Sequence, residues 1–524
     1  MLEQRKSLLP IFDPAPPISR FHRRLDELRA SLLPLDAEMA VRTFRPEGHA
    51  RVLKTTISLC PVCLEPVAAL VYTKEGRVLM RKHCAEHGDA DALLESDERF
   101  YHLSNKDRWG RRYATDGVID FPTFQSSSCC GDGGCCDGEA GGGDSTEGFT
   151  DQMSNKTCTV LVEVTNACNL ACPVCYSDAK GDRKLPLDAF KRYLNALIEK
   201  KGGLDSVQLT GGEAVLHPEF WEMVEFLHAH AGVKKIYLPT NGILFAKSEV
   251  AERLMPFRDK LMVLLQFDGR TAEANRALRD ANPERVREQA LAHFARLDIQ
   301  TQLTMTITKD VNDAEIGWVV DTGLKYDHVK VVALQPVTYS GRYDLDQDPL
   351  ERLTLSDVAR AVAAQARKRT PADRFVPIPC SHPNCGWITL FVRRFGITHN
   401  ITRSVDLDRV MNRVANRTLL STAELRDVVG TRPAGLLQRV GAEVGKKLIR
   451  STDVFGIAIK PFMDRHNYDQ DRISACCHHL LDTQGRPVSF CEYNARLRPA
   501  DSWEPFPRLR DRPVEDGRTG SRLK

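Results

Sequence analysis

From residue 159 onward, short β-branched runs alternate with longer stretches whose apolar residues recur at helical spacing. The runs lie at 159–164, 206–209, 234–238, 261–267, 299–307 and 329–334, and the helical patterns at 187–200, 219–230 and 283–297. Strands separated by helices are joined by right-handed crossovers and lie parallel, so this alternation predicts an α/β fold built on a partial (β/α)6 barrel over residues 158–341. In such sheets the chemistry sits at the carboxyl ends of the strands.

The flanks read differently. Residues 70–72, 74–76 and 77–80 form the pattern of a β-hairpin inside a small metal-binding module at 51–124. Residues 1–50, rich in Pro and Arg, read as an irregular lead-in with one helix around 18–33. Residues 125–157 hold so much glycine and so few apolar side chains that they cannot pack alone, and read as a cluster-binding loop. Residues 342–498 alternate helical and irregular segments, and 499–524 read as a disordered tail.

The 524 residues carry 73 Lys+Arg against 70 Asp+Glu, a net charge of +3, which argues against a protein that works by gripping phosphate backbone, so no nucleic-acid partner is expected. No apolar run approaches the roughly 18 residues that span a bilayer. The start, with Pro10, Pro14, Pro16 and Pro17, lacks the apolar core of a signal peptide, so a cytoplasmic location is expected. In reducing cytosol 16 cysteines point to metal binding or catalysis rather than disulfides. They are clumped at 60, 63 and 84; 129, 130, 135, 136 and 158; 168, 172 and 175; 380 and 385; and 476, 477 and 491, as several metal centres would require.

Directly after the first strand stands Thr165-Asn-Ala-Cys168-Asn-Leu-Ala-Cys172-Pro-Val-Cys175. Three thiolates at C-x3-C-x2-C can hold three corners of a cubane iron–sulfur cluster and leave one iron open to a small molecule. A zinc site or a ferredoxin would want a fourth ligand nearby, and the next cysteine is Cys380. Cys60-Pro-Val-Cys63 and Cys84-Ala-Glu-His87 form two knuckles suited to tetrahedral zinc or a single rubredoxin-like iron. Cys380, Cys385, one of Cys476 and Cys477, and Cys491 supply the thiolates of one closed cluster; Cys129, Cys130, Cys135, Cys136 and Cys158 supply another.

The cysteine triplet resembles the signature of the radical S-adenosylmethionine enzymes. Gln208-Leu-Thr-Gly211-Gly212-Glu213 resembles the GGE motif of those enzymes, in which bare glycine backbone and a carboxylate receive the methionine amino group. Asn241, Gln266, Asp268 and Gln335, each at a strand end, match positions that line the cavity for cofactor and substrate in that family. The resemblance implies that the open iron chelates S-adenosylmethionine, that one electron cleaves the sulfonium bond, and that a 5′-deoxyadenosyl radical removes hydrogen from an unactivated carbon. A reductant such as flavodoxin or ferredoxin is implied as partner.

Over residues 50–495 or so the arrangement is similar to the tetraether lipid synthase family, which includes proteins described as pterin methyltransferases. Beyond the motifs above, the likeness rests on Phe121-Pro-Thr, Thr157-Cys158, Cys380-Ser-His-Pro-Asn-Cys385, Cys476-Cys-His and Phe490-Cys-Glu-Tyr-Asn494. It implies a radical-generating cluster, two auxiliary [4Fe-4S] clusters and one mononuclear zinc or iron. Ala214, where that family often has proline, and the loose Gly-rich 131–145 segment are departures. The function expected is hydrogen abstraction from a lipid chain with formation of a C–C or C–S bond. The alternatives are a methyl or methylene transferase acting on a pterin-like heterocycle, a peptide-modifying maturase, and a non-catalytic iron–sulfur carrier or scaffold. A lipid substrate suggests peripheral membrane contact, for which Leu436, Leu437, Val440, Val444 and Leu448 with Arg439, Lys446, Lys447 and Arg450 have suitable helical spacing.

Overall fold

The computed structural model describes residues 20–102, 107–113, 157–345, 348–368, 370–378, 380–394, 397–402 and 453–510. Four strands, β1 (Arg51–Leu59), β2 (Pro66–Lys74), β3 (Arg77–Cys84) and β4 (Gly88–Glu95), form an antiparallel meander in that order. The expected hairpin is β2–β3, closed by Glu75 and Gly76. The helix expected around 18–33 is present as Arg20–Leu32, and a second, Ala37–Phe44, follows it; together they pack Leu25, Leu28, Leu32, Ala40 and Phe44 against Val52, Ile57, Leu70 and Tyr72 of the meander. The second helix starts where the Asp36 carboxylate accepts a hydrogen bond from the Met39 amide at 2.8 Å, an N-cap that the proline-rich surroundings obscured.

The remaining strands are β5 (Thr159–Thr165), β6 (Val174–Cys175), β7 (Leu204–Gly211), β8 (Val233–Thr240), β9 (Leu261–Gln266), β10 (Thr301–Ile307), β11 (Val329–Pro336), β12 (Arg342–Tyr343), β13 (Val376–Pro377), β14 (Trp387–Arg394), β15 (Ile397–Asn400), β16 (Val454–Ile459), β17 (His478–Leu481) and β18 (Pro487–Ser489). The predicted strands are β5, β7, β8, β9, β10 and β11, neighbours in a parallel sheet. Helices Leu187–Lys201, Phe220–Ala229 and Glu284–Arg296 cover it where helical spacing placed them.

The sheet does not stop at residue 341. β16 pairs in parallel with β11 at one edge and β17 in parallel with β5 at the other, so the carboxy-terminal region extends the barrel wall on both sides. β14 and β18 then cap these edges antiparallel. Residues 499–510, expected within a disordered tail, are packed: the Pro507 carbonyl accepts from Lys184 N at 2.9 Å, and Leu509 N donates to the Asp182 carbonyl at 2.7 Å. No helix of the described residues is long and apolar enough to cross a membrane. The 436–450 segment and Cys129, Cys130, Cys135 and Cys136 lie outside the described residues.

Candidate active site and metal centres

Strand side chains alternate between two faces. Outward ones such as Val160, Val162, Val207, Leu209, Leu303 and Met305 join the core under the helices. Their neighbours Leu161, Glu163, Gln208, Thr210, Gln302 and Thr304 face a cavity of about 440 Å³ inside the open barrel. All three radical-motif cysteines line it, with Gly211, Gly212, Glu213, Asn241, Gln266 and Gln335. So do Cys380, Cys385, Cys476 and Cys491 from the carboxy-terminal region.

The cysteine loop leaves β5 and is tied back by β6, which pairs antiparallel with β12; Arg342 Nε donates to the Cys172 carbonyl at 2.6 Å. The end of β7 lies directly beneath it. Gly212 N donates to the Thr165 carbonyl at 2.8 Å and Glu213 N to the Ala167 carbonyl at 2.9 Å. A Cβ on Gly211 would stand 2.1 Å from the Thr165 carbonyl oxygen, and one on Gly212 would stand 1.9 Å from that of Ala167. Both glycines are therefore required by the cysteine loop itself, before any cofactor is considered.

Glu213 is buried, accepting from Thr240 Oγ1 at 2.7 Å and from Asn241 N at 3.0 Å. Burial pushes its carboxyl up to about 7 despite these two bonds. Asn241 spans the site: Nδ2 donates to Asn169 Oδ1 in the cysteine loop at 2.7 Å, and Oδ1 accepts from Ile243 N at 3.0 Å. Gln266 Nε2 donates to Asp268 Oδ1 at 2.6 Å.

Asp268 sits one layer further back. It does not line the cavity but lies buried behind it, with Arg279 Nε and Nη2 each at 2.8 Å and Arg287 Nη2 at 3.3 Å. Burial would raise its carboxyl, but Arg279 and Arg287 hold it below the usual range. Arg279, unmarked in the sequence, is the member of this group that reaches the cavity wall.

Cys60, Cys63, Cys84 and His87 come together with all four ligand atoms within 4.8 Å of one another. Cys60 Sγ and Cys84 Sγ lie 3.6 and 3.5 Å from His87 Nδ1, and Cys63 Sγ lies 3.9 Å from Cys84 Sγ, spacings that suit one tetrahedral ion. β1 ends at Leu59, one residue before Cys60, and β3 ends at Cys84, so the sheet fixes both knuckles.

The expected grouping of the other cysteines changes. Cys158, Cys380 and Cys477 are buried with their sulfurs within 4.8 Å of one another. The reason is register: β17 pairs with β5 so that His478 faces Thr159, which puts the preceding residues Cys477 and Cys158 side by side, with Cys158 N donating to the Cys477 carbonyl at 3.0 Å. Cys476 lines the cavity with Cys385 and Cys491 instead; burial, then the charges of Cys476 and Cys385, push the Cys491 thiol well up. Burial also lifts the Cys168 and Cys476 thiols to about 11, so a bound metal has to supply what stabilises their thiolates. All-thiolate donor sets of this kind suit iron–sulfur centres. Sequence reasoning also missed Lys460, whose Nζ lies 2.9 Å from His478 Nε2 on the cavity wall, and Arg472, whose Nε donates to Cys385 Sγ at 3.4 Å.

Comparison with known proteins matches residues 52–96 to the HMPTM N-terminal zinc ribbon domain and residues 162–322 to the radical SAM superfamily. The chain is 25% identical over 500 residues to the 7,8-dihydro-6-hydroxymethylpterin dimethyltransferase of Methanocaldococcus jannaschii, spanning 85% of this chain and 94% of that one. It is 38% identical over 136 residues to the mycofactocin maturase MftC of Mycobacterium ulcerans, 25% of this chain and 35% of that one. Streptococcus suis SuiB bound to S-adenosylmethionine aligns at 18% identity and TM-score 0.34 over 40% of this chain and 46% of that one. A radical SAM methyltransferase from Sphaerobacter thermophilus aligns at 14% identity and TM-score 0.30 over 66% and 84%.

Proposed function

Since the chain belongs to the radical S-adenosylmethionine superfamily, we propose that it is a radical methyl- or methylene-transferring enzyme whose substrate is a pterin-like heterocycle. The observation that carries this reading is the row of amides on the barrel wall: Gln208, Gln266, Gln302 and Gln335, from four different strands, all face the cavity. Side-chain amides offer a donor and an acceptor on one planar group, the complement of the N–H and C=O edge of a pterin ring. Leu161, Ile378, Ile388, Phe462 and Phe490, also lining the cavity, offer apolar surface for the faces of such a ring. Similarity to a pterin dimethyltransferase across most of both chains supports the same class.

Cys168, Cys172 and Cys175 would hold the iron–sulfur cluster that supplies one electron to S-adenosylmethionine and so starts hydrogen abstraction from the substrate. Glu213 would take the methionine ammonium, with Thr240 and Asn241 orienting its carboxylate. Asn241 fixes the cysteine loop to the end of β8 through Asn169, so that the cluster ligands and the carboxylate keep a constant separation. The lipid reading draws on the apolar wall alone, because the segment suited to membrane contact lies outside the described residues.

The test is to incubate anaerobically reconstituted protein with S-adenosylmethionine, a reductant and 7,8-dihydro-6-hydroxymethylpterin, following 5′-deoxyadenosine and methylated pterin by mass spectrometry. Methylated pterin is expected. Unmodified pterin, together with altered lipid extracts from cells that make the protein, would replace this reading with the lipid one. Absence of 5′-deoxyadenosine under all conditions would leave the scaffold reading.

A further inference from the structure

We propose that Arg472 sets the reduction potential of the iron–sulfur centre on Cys385, Cys476 and Cys491, and that Lys54 of the amino-terminal ribbon is the positioning residue that holds it there. The proposal rests on reading those three cysteines as cluster ligands.

Arg472 is 8% exposed, and its charge is permanent. Its Nε donates to Cys385 Sγ at 3.4 Å and its Nη2 to the Pro461 carbonyl at 3.1 Å. It forms no ion pair with a carboxylate among the described residues; Asp469, a carboxylate whose charge acts on it, is bonded to Lys54 and Thr56. Burying a guanidinium without a counter-charge is strongly unfavourable. Thiolate sulfur is the anion this pocket offers, and a metal centre is what keeps three neighbouring cysteines deprotonated. A cation that also donates a hydrogen bond to a ligand sulfur stabilises the extra negative charge of the reduced centre, so Arg472 raises its potential. The couple is a one-electron reduction, with the electron drawn from an external reductant.

The turn bearing Arg472 is held from the ribbon. Asp469, the N-cap of the short helix Gln470–Ser474, and Asp471 both precede the arginine, and Lys54 Nζ, on β1, lies 3.0 Å from Asp469 Oδ2 and 2.7 Å from Asp471 Oδ2. Thr56, two residues along the same strand, donates from Oγ1 to Asp469 Oδ1 at 2.8 Å. Asp107 Oδ1 lies 3.3 Å from the same lysine and 2.7 Å from Nε2 of His382, which lies between Cys380 and Cys385 in the chain. Lys54 is 1% exposed, and β1 runs on into Cys60. One strand thus carries a metal knuckle at its end and a clamp on the auxiliary site along its length.

The experiment uses full-length protein in which Cys168, Cys172 and Cys175 are alanine, so that auxiliary signals stand alone, with iron and sulfide counted and midpoint potentials read by EPR-monitored titration with dithionite. Arg472→Gln is expected to keep its iron and shift one signal to lower potential; Arg472→Lys, which retains charge, is expected to shift it less. Lys54→Met, and the milder Thr56→Val, are expected to shift the same signal in the same direction, with no added shift when combined with Arg472→Gln. An unchanged potential in Arg472→Gln at full iron content overturns the proposal. Unchanged potentials in Thr56→Val and in folded Lys54→Met overturn the positioning role; if Lys54→Met fails to fold, Thr56→Val decides it. Cys385→Ala separates the two layers: if it loses no iron, the cluster reading itself fails.

Discussion

Among the described residues Glu213 has no ion-pair partner, only a hydroxyl and a backbone amide as donors, and burial accounts for its carboxyl rising to about 7. An ammonium brought beside it favours the ionised form. Below that value the free site is protonated, so binding of S-adenosylmethionine is expected to weaken as pH falls from about 8 to about 6 and to release protons in that range. Calorimetry in buffers of different ionisation enthalpy would show this. Glu213→Gln is expected to bind roughly 10- to 100-fold more weakly and to lose the pH dependence, from the roughly 1.5–3 kcal/mol of a charged hydrogen bond. Gly212→Ala tests a different property of the same turn. With a Cβ 1.9 Å from the Ala167 carbonyl, the loop has to shift, at a cost of about 1–3 kcal/mol in stability and loss of iron from the Cys168 cluster, read by iron content and thermal melting. Asp268→Asn leaves Arg279 and Arg287 buried without their shared anion and is expected to cost about 3–5 kcal/mol, read by urea denaturation.

At the scale of elements, the six barrel strands and three covering helices were legible because their periods of 2 and 3.6 are written into consecutive residues. The same alternation contained a signal left unused: Gln208 and Thr210 on β7, and Gln302, Thr304 and Thr306 on β10, share a parity that sets them opposite the core residues and so toward the cavity. The ribbon was legible from its knuckles and hairpin. Of the two helices before it, Arg20–Leu32 was legible and the second was not, because it spans only Ala37–Phe44 and draws its stability from packing on β1 and β2. Replacing His87 by Ala is expected to remove one metal ion per chain and lower the melting temperature of the ribbon, while leaving the sulfur spacing of the radical-motif loop unchanged; metal analysis with circular dichroism would check it.

Across the whole molecule, the carboxy-terminal region was expected as a separate cluster-bearing unit, yet it supplies β16 and β17 to both edges of the barrel. That placement brings Cys385, Cys476 and Cys491 to the cavity that holds Cys168, Cys172 and Cys175. Each cluster motif, each glycine turn and the strand–helix order could be read from the chain alone, since ligand spacing and periodicity are local properties. The partners of the distant cysteines could not. Adjacent Cys476 and Cys477 belong to different groups because the register of β17 against β5 directs one toward Cys158 and the other toward Cys491, and that register is set by strand pairing across more than 300 residues of chain. Likewise Asp268 reads as a site residue wherever a strand ends in Asp-Gly, until the fold supplies two buried arginines that claim it.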